Sequence, residues 1–216
     1  MREVHDHYFK QARREGYRSR AAYKLIDIDD RKKVIRRGAR VLDVGAAPGS
    51  WCQVLAKRVG PRGVVVGFDL KPIDASGLAE HVRVFEADAN AVDLEELGGH
   101  PFDAIVSDMA PDTTGDPFGD HHRSVRLCEM LLARCGAWLK PGGNLIMKVF
   151  EGEAYRNLLE QTSNVFEKAK GFKPAASRAE SVEMFIVAHG YKGPDKDAPP
   201  DERDALPTRR PSRGWS

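Results

Sequence analysis

The clearest chemical signal in this sequence is a lysine that interrupts an apolar segment. Lys148 stands in the run 144–149 (NLIMKV), where the pattern predicts a buried strand. An ionisable side chain in such a strand needs a partner or a chemical purpose, because burying an unpaired charge is costly. Asp108, at the end of the predicted strand 102–108, can supply the partner. A purely structural ion pair is the alternative explanation.

A second signal is the turn DVGAAPGSW at residues 43–51. It joins a predicted buried strand, 39–44, to a predicted helix, 51–59, in the order that opens a nucleotide-binding α/β unit. Gly45 and Gly49 lack a Cβ, so the backbone there can pass close to a ligand. A tight turn without a ligand is the alternative. The turn does not match the Gly-x-Gly-x-x-Gly pattern of dinucleotide sites, which favours a cofactor without phosphates.

Two acidic residues that end further predicted strands strengthen the cofactor interpretation. Asp69 ends the strand predicted over 63–69, and Asp88 ends the strand predicted over 82–88. Ligands of open α/β sheets bind outside the carboxyl ends of the strands, where these two side chains would meet. Asp69 is placed to accept hydrogen bonds from ribose hydroxyls, and Asp88 from an adenine amino group. The combination points to S-adenosylmethionine.

The remaining patterns describe the scaffold that positions these residues. Two late strands adjoin without a helix between them, which predicts an antiparallel edge. We therefore expect an α/β, Rossmann-like sheet of mostly parallel strands with helices on both faces. The predicted organisation is a single domain over 1–192, which opens with a basic helical segment (1–38), and a flexible tail over 193–216. The further predicted elements are helices over 121–139 and 152–169 and strands over 172–177 and 183–188.

The charge of the chain is nearly balanced overall but uneven along its length. The 216 residues carry a formal net charge of +2, yet residues 1–40 hold 13 lysines and arginines against 6 acids, and residues 41–189 hold 15 against 21. A basic leading segment with interleaved aromatic residues predicts an RNA-binding surface, whereas a solvated amphipathic face is the alternative. The residues concerned are Tyr8, Phe9, Tyr17 and Tyr23 with Arg13, Arg14, Arg18, Arg20 and Lys24.

The composition argues against a secreted, membrane-bound or metal-dependent protein. No apolar run reaches eighteen residues and the start of the chain is polar, so neither a membrane span nor a secretory leader is expected. Three cysteines in apolar helical contexts predict reduced core thiols in a cytoplasmic protein. The histidine pairs at 5/7 and 121/122 lack further ligands at metal spacing, so no metal is expected. The cysteines are Cys52, Cys128 and Cys135.

Five separated motifs occur in a fixed order along the chain. They are SRAAYKL at 19–25, DVGAAPGSW at 43–51, SDMAP at 107–111, MKVF at 147–150, and Glu183 at the start of the last strand. Together they resemble the FtsJ/RrmJ family of ribosomal RNA ribose 2′-O-methyltransferases. The resemblance covers residues 7–192 and implies a class I S-adenosylmethionine-dependent methyltransferase fold, a seven-stranded sheet whose last strand is antiparallel.

The same resemblance implies roles for individual residues. Glu183 is preferred over the nearby Glu180 as the last catalytic residue, because it directly precedes the apolar strand. The implied catalytic tetrad is Lys24, Asp108, Lys148 and Glu183. The implied contacts to S-adenosylmethionine come from Gly49, Trp51, Asp69, Asp88 and Asp108, with Asp43 and Gly45 added from the turn itself.

The chemistry of such a tetrad needs few groups, because a sulfonium methyl is already activated. The protein must align a ribose 2′-hydroxyl with that methyl group and remove a proton. We predict that Lys148 is the general base, that Asp108 orients it, and that Lys24 and Glu183 position the ribose. A Lys148 that stays charged would instead stabilise a developing alkoxide while the proton leaves through water.

The resemblance implies a substrate, a uridine of 23S ribosomal RNA in the large ribosomal subunit, and we expect a monomer. A methyltransferase of tRNA or another RNA is one alternative. A non-catalytic RNA-binding protein of ribosome assembly is another, although the intact tetrad argues against it. A nucleotide-dependent oxidoreductase is disfavoured by the missing Gly-x-Gly-x-x-Gly pattern.

Overall fold

A computed structural model describes residues 2–93, 95–177 and 181–194, with side chains from residue 7 onward. Glu180 and the chain beyond residue 194, where most of the predicted tail falls, lie outside the described residues. The described strands are β1 (Arg40–Val44), β2 (Val64–Asp69), β3 (Val82–Glu86), β4 (Phe102–Ser107), β5 (Leu139–Phe150), β6 (Phe166–Phe172) and β7 (Glu183–Tyr191). The described helices are α1 (Arg2–Arg14), α2 (Ala22–Lys32), α3 (Ser50–Val59), α4 (Pro117–Trp138) and α5 (Tyr155–Val165).

The strands form one seven-stranded sheet in the order β3-β2-β1-β4-β5-β7-β6. The first five strands pair in parallel, and β7 lies between β5 and β6, antiparallel to both. This topology confirms the predicted Rossmann-like sheet with an antiparallel edge. Parallel strands direct their carboxyl ends to one edge of the sheet, which is where ligands of such folds bind.

Helices cover both faces of the sheet and bury its central strands. On one face, Leu25 of α2 and Leu55 of α3 lie in the apolar core. On the other face, Leu131 and Trp138 of α4 and Leu158 of α5 do the same. Strands buried on both faces need apolar side chains at every position, which explains why the sequence shows continuous apolar runs instead of alternation.

The structure corrects the prediction at the antiparallel edge. A helix was expected over 152–169 and a strand over 172–177, but α5 ends at Val165 and β6 begins at Phe166. β6 pairs with β7 from its first residue, Phe166 opposite Tyr191. The backbone hydrogen bonds to β7 and the complete burial of the Phe166 ring outweigh the helix propensity of the EKAK segment.

The boundary between α4 and β5 also differs from the prediction. The helix expected over 121–139 begins at Pro117, because the Asp116 carboxylate caps it by accepting from the backbone N–H groups of Phe118 and Gly119. β5 begins at Leu139 instead of residue 144, directly after the helix. The cap lets α4 begin four residues earlier than its apolar pattern predicts. The absence of a loop after α4 lets β5 begin five residues earlier than its own apolar run.

The tyrosines of the basic leading segment pack against one another. The ring centroids of Tyr8 and Tyr17 lie 5.3 and 5.8 Å from that of Tyr23. Tyr23 is buried and its hydroxyl donates to Glu15; burial, followed by that hydrogen bond, raises the pKa of the phenol. Tyr23 is therefore a packing residue between α1 and α2, which corrects its assignment to base stacking. Tyr8 and Tyr17 are only partly buried, and their stacking on RNA bases stays a prediction. Phe9 remains exposed.

Candidate active site

Four charged side chains meet at the carboxyl ends of the central strands. Lys148 Nζ lies 2.9 Å from Asp108 Oδ1 and 3.7 Å from Glu183 Oε1. Lys24 Nζ lies 2.9 Å from Glu183 Oε2 and 3.7 Å from Asp108 Oδ1. Each lysine therefore contacts both carboxylates. The structure brings together all four residues of the tetrad that the family resemblance implied.

Separate elements supply the four members of this tetrad. Asp108 directly follows β4, Lys148 lies within the neighbouring β5, and Glu183 opens β7 opposite the last residue of β5. Lys24 comes from α2, and its ammonium lies 5.9 Å from the ring centroid of Phe185. The sheet register sets three of the positions, and the packing of α2 on the sheet sets the fourth.

The two positive and two negative charges of the tetrad are mostly buried and neutralise one another. Lys24 and Lys148 are 6% and 7% exposed. Lys148 Nζ also donates to the backbone oxygen of Asp108 at 2.6 Å. Burial alone would raise the pKa of Glu183, but the two ammonium groups more than offset it and hold that pKa below its ordinary value. Glu183 is therefore a carboxylate at neutral pH and can accept hydrogen bonds from a substrate.

A cavity of about 540 Å³ opens beside Asp108 at the carboxyl ends of β1, β2, β3 and β4. The carboxylates of Asp69, Asp88 and Asp108 line it, and Phe68 and Leu127 contribute apolar wall. Small-molecule sites usually have about 300–1,000 Å³ and combine apolar walls with a few polar groups. This cavity has the volume and the lining of a nucleoside site.

Hydrogen bonds hold the two strand-end aspartates of the cavity in place. The Asp69 carboxylate accepts from the backbone N–H of Ala47 at 3.0 Å and from that of Lys71 at 2.9 Å. The Asp88 carboxylate accepts from the backbone and side-chain nitrogens of Asn90, both at 2.9 Å. Each carboxylate is thus oriented by its own loop while it lines the cavity.

Gly45, in the turn after β1, also lines this cavity. Its φ is +77°, and a Cβ at this position would overlap the side chain of Met109. Both the backbone conformation and the close approach therefore require glycine here. The close neighbour in the structure is the Met109 side chain, and a close approach of this backbone to a ligand stays a prediction.

Three other residues that were predicted to contact the cofactor do not line the cavity. Trp51 is 2% exposed, and its indole N–H donates to the backbone oxygen of Ala21 at 2.8 Å. Asp43 is 1% exposed and accepts from the Cys52 thiol at 3.2 Å. Gly49 turns the chain into α3 with φ +99°. In this structure these residues support the turn and the helices behind it, so a direct contact to the cofactor stays a prediction.

Arg18 is a structural residue that the sequence analysis missed. It was assigned to an RNA-binding surface, but its guanidinium donates to the backbone oxygens of Pro48, Asp74 and Ser76 at 2.9, 2.5 and 2.6 Å. It therefore ties the turn after β1 to the loop after β2. These acceptors lie 30 to 58 residues away along the chain and are backbone atoms, so no side-chain pattern could have indicated them.

A second cavity, of about 550 Å³, lies on the Glu183 side of the tetrad. Its walls come from the end of β5, the loop before α4 and the start of β7. Arg20, Phe150 and Asp120 line it together with Glu183. The tetrad therefore has a cavity at each of its two carboxylates.

The described residues show neither a metal-binding group nor a membrane-spanning helix. Within them, no three histidine, cysteine or acidic side chains are arranged to hold a metal ion, and no helix has the length and apolar character to cross a membrane. All three cysteines are buried free thiols, as predicted. Burial raises the pKa of Cys128 and Cys135 to about 12, which makes them unreactive core residues.

Solved structures resemble this fold at two levels of similarity. A chain described as a ribosomal RNA methyltransferase from Plasmodium falciparum superposes with a TM-score of 0.71 and 26% identity, over 82% of this chain and all of that one. Fibrillarin from Aeropyrum pernix, solved with natively bound S-adenosyl-L-methionine, superposes with a TM-score of 0.59 and 16% identity, over 80% of this chain and 75% of that one. The second likeness concerns the fold alone.

Comparison with known sequences identifies the family more specifically than the structural similarity does. The family model for FtsJ-like methyltransferases matches residues 17–191. A protein named ribosomal RNA large subunit methyltransferase E from Nitratidesulfovibrio vulgaris (strain DP4) is 44% identical over 89% of this chain and 96% of its own length. A protein of the same name from Pseudomonas aeruginosa (strain PAO1) is 40% identical over 87% and 92%. The motifs, the sheet and these matches agree, and the chain belongs to the FtsJ-like methyltransferase family.

Proposed function

We propose that this protein transfers a methyl group from S-adenosylmethionine to a ribose 2′-hydroxyl of ribosomal RNA. The observation that carries the proposal is the position of the tetrad between two cavities. Asp108 lines the first cavity and Glu183 lines the second. Both carboxylates contact Lys24 and Lys148, so a single cluster of charges borders both cavities. A donor in the first cavity and an acceptor in the second would meet at the tetrad.

The names of the relatives support the substrate. The proteins from N. vulgaris and P. aeruginosa are both named for the RNA of the large ribosomal subunit. Together with the family resemblance, these names lead us to propose a uridine of 23S ribosomal RNA in the large subunit as the substrate. We also propose that the protein acts in the cytoplasm as a monomer. The specificity for this RNA over tRNA rests on these names and on the family resemblance.

The first cavity suits the cofactor. Asp69 and Asp88 present carboxylates that can accept from hydroxyl and amino groups of a nucleoside, and Phe68 and Leu127 offer apolar contact to a base. Gly45 leaves room where any Cβ would collide with Met109. When bound, S-adenosylmethionine supplies an electrophilic methyl group. We propose that Gly45, Asp69, Asp88 and Asp108 contact it, and that Asp43, Gly49 and Trp51 shape the turn that holds it.

The tetrad then prepares the acceptor hydroxyl. Lys148 is the general base: its ammonium first releases a proton to water, and the neutral amine then accepts the proton of the 2′-hydroxyl. Asp108 orients Lys148 through both its carboxylate at 2.9 Å and its backbone oxygen at 2.6 Å. Glu183, kept ionised by the two lysines, accepts a hydrogen bond from the ribose, and Lys24 fixes the position of Glu183. Placing the hydroxyl within hydrogen-bond reach of Lys148 supplies both the alignment and the proton acceptor.

A transfer assay with tritiated S-adenosylmethionine tests the proposal. The acceptors are large ribosomal subunits and free 23S ribosomal RNA from cells that lack this protein. We expect label in the RNA, and we expect the adjacent phosphodiester to resist alkaline hydrolysis, because a 2′-O-methyl group blocks the attacking hydroxyl. Label on a base, or no label on either acceptor, would contradict the proposed function.

The cofactor site is tested separately by Asp69→Asn. The substitution keeps the shape of the side chain but removes a charged acceptor, which is typically worth about 1.5–3 kcal/mol, or a roughly 10- to 150-fold weaker affinity for S-adenosylmethionine. Isothermal titration calorimetry measures it. Asp74→Asn is the matched control, because Asp74 lies on the following loop and its carboxylate bonds only Ser76. An unchanged affinity of the Asp69 variant would move the cofactor to another site.

A further inference from the structure

A basic surface lies along the last edge of the sheet, where the end of the basic leading segment meets an edge strand from a distant part of the chain. Two of its residues, Lys168 and Lys170, project from β6, the outermost strand. The other three, Arg31, Lys32 and Arg36, belong to the end of α2 and the chain that follows it. These five residues are called the basic edge below.

The members of the basic edge converge on one place. Lys168 pairs in register with His189 of the neighbouring β7. His189 is half-buried, and its pKa is lowered first by burial and then by the positive charges of Lys168, Lys32 and Arg36. A single imidazole thus lies within electrostatic reach of three cations from two different elements. Lys170 lies two residues along β6 from Lys168 and so projects from the same face.

An aromatic ring lies within the basic edge. The ammonium of Lys32 lies 5.0 Å from the ring centroid of Phe172, and the guanidinium of Arg31 lies 5.9 Å from it. Cations held over an aromatic face keep their charge while their position is restrained. The basic edge is therefore a partly ordered array and not a set of independent, freely moving side chains.

Little negative charge on the protein neutralises this array. Arg31 pairs with Asp27 at 2.8 Å. For Lys32, Arg36, Lys168 and Lys170, no carboxylate oxygen among the described residues lies within 4.0 Å. Clustered like charges repel one another, and a polyanion relieves that repulsion with release of its counterions.

The basic edge is continuous with the active site. Phe172 is paired with Phe185 of β7, and Phe185 is paired with Lys148 of β5. Adjacent strands lie about 4.8 Å apart, so the backbone of Phe172 lies roughly 10 Å from that of the general base. The Phe172 ring contacts Arg31 and Lys32, and Lys170 follows two residues away along β6. Phe185 also lies beside Lys24. A chain of phosphates that leaves the tetrad can therefore reach the basic edge within a few nucleotides.

We propose that the basic edge binds the RNA backbone that flanks the methylated nucleotide. This inference rests on the proposed function, since that function places RNA at the tetrad. Lys168 and Lys170 contact phosphates, and Arg31, Lys32 and Arg36 extend the same track along α2. The contacts are to phosphates, so they supply affinity and register on the RNA without reading its sequence.

The competing explanation is structural. Lysines on an edge strand prevent sheets from pairing edge to edge, and Lys168 and Lys170 could serve only that purpose. The two explanations differ in what the loss of both charges does. A phosphate contact changes the salt dependence of RNA binding, whereas edge protection changes self-association.

The experiment compares two double variants that each remove two exposed positive charges. The first is Lys168→Gln with Lys170→Gln on β6. The matched control is Arg62→Gln with Arg83→Gln. Arg83 is exposed on β3, the opposite edge strand, and Arg62 is exposed just before β2, the strand that pairs with β3. Filter binding of a labelled 23S ribosomal RNA transcript over a range of salt concentration gives the slope of log affinity against log salt.

The β6 variant should lower the magnitude of that slope by about 1.4 to 1.8, or 0.7 to 0.9 for each phosphate that is no longer neutralised, while the control keeps the wild-type slope. It should also raise KM for RNA and leave kcat at saturating RNA unchanged, since the tetrad is intact. Equal slopes in both variants, or self-association of the β6 variant with a wild-type slope, would overturn the inference. If the wild-type protein transfers no methyl group to RNA, the proposed function fails instead.

Discussion

Two of the four charged residues of the tetrad could be identified from the sequence pattern alone, and two could not. Lys148 and Asp108 were predicted as partners from their strands alone, because an ionisable residue in a buried strand must be paired. They lie 2.9 Å apart. Lys24 and Glu183 carry no such signal, since one is on an amphipathic helix among many cations and the other begins a strand. Only the family resemblance indicated them, and the structure places both within 4 Å of their partners.

At this scale, Lys148→Met tests the general base. Methionine fills much of the same volume but can neither accept a proton nor carry charge, so turnover should fall about 10²- to 10⁴-fold. The affinity for S-adenosylmethionine should stay near wild type, as measured by calorimetry. Lys140→Met is the control, because Lys140 is on the same strand, also pairs with an aspartate, and is exposed at the far end. Near-native turnover of the first variant would remove Lys148 from the mechanism.

Asp43 gives a second test at the scale of one residue. Burial raises the pKa of its carboxyl to about 7; the charges of Asp108 and Asp69 add to the rise, and the Cys52 thiol opposes it. In the unfolded chain the pKa is about 3.9. The folded state therefore retains a proton that the unfolded state releases, so stability is lost as pH rises from about 4 to 7.

The corresponding variant is Asp43→Asn, which stays neutral and can still accept from Cys52. Between about pH 4 and 7 the free energy of unfolding of the wild type should fall by on the order of 4 kcal/mol, since one unit of pKa difference corresponds to about 1.36 kcal/mol. The variant should be more stable than the wild type at pH 8 and equal to it near pH 4.5, as measured by urea denaturation. The same pH dependence in both proteins would show that Asp43 is ionised without penalty.

Helices and strands were predicted well where burial of their own side chains determines them. They were predicted less well where hydrogen bonds to a distant strand determine them. The five parallel strands appear in the predicted order. The central ones are buried on both faces and leave an uninterrupted apolar run, whereas β3, at the edge, mixes apolar and polar residues. The segment 166–172 was predicted as mostly helical. Its exposed lysines and its alanine suit a helix, but hydrogen bonds to β7 make it a strand. The partner of an edge strand is distant along the chain, so no local pattern contains it.

Arg18 provides the test at the scale of elements. Arg18→Gln removes guanidinium bonds to three backbone oxygens and should loosen the loop 71–77 against the turn after β1. Because Asp69 and Gly45 line the cofactor cavity from these two segments, the affinity for S-adenosylmethionine should fall about tenfold, a difference of about 1.4 kcal/mol. Calorimetry measures the affinity, and hydrogen exchange measures the loop.

The control for this variant is Arg58→Gln. Arg58 also makes side-chain bridges, to Asp29 and Asp30, but these join α3 to α2 and do not reach the cavity loops. It should leave both readouts unchanged. If Arg18→Gln behaves like the control, the connection between the turn and the loop has no part in binding the cofactor.

At the scale of the whole molecule, the structure shows where the positively charged residues lie on the surface. The leading segment is basic in sequence, yet Arg18 is engaged by backbone oxygens and three tyrosines pack together between α1 and α2. Arg13 and Arg14 remain exposed at the end of α1. The basic edge of β6 and α2 is the other exposed cationic surface proposed here for RNA. Arg31, Lys32 and Arg36 belong to the basic leading segment, and the fold brings Lys168 and Lys170 to them from a distant part of the chain. That meeting has no signature in the distribution of charge along the sequence.

The prediction at this scale concerns the leading segment. Arg13→Gln with Arg14→Gln should weaken binding of 23S ribosomal RNA and reduce the magnitude of the salt slope by about 0.7 to 0.9 for each phosphate that either arginine neutralises. The measurement is salt-dependent filter binding, with the Arg62 and Arg83 double variant as the charge-matched control. A slope equal to that of the control would identify this end of α1 as a solvated face.

The sequence by itself determined the order of strands and helices, the glycine turn, the Lys148–Asp108 pair and the family. The elements and the turn depend on local periodicity and short spacing, the pair on a lysine in an apolar strand that needs a partner, and the family on motifs in a fixed order. Only the tertiary structure decided that β6 is a strand, that Arg18 joins two loops, and that the tetrad lies between two cavities. These features depend on contacts between segments tens of residues apart, and the sheet register and helix packing that create such contacts exist only in the folded chain.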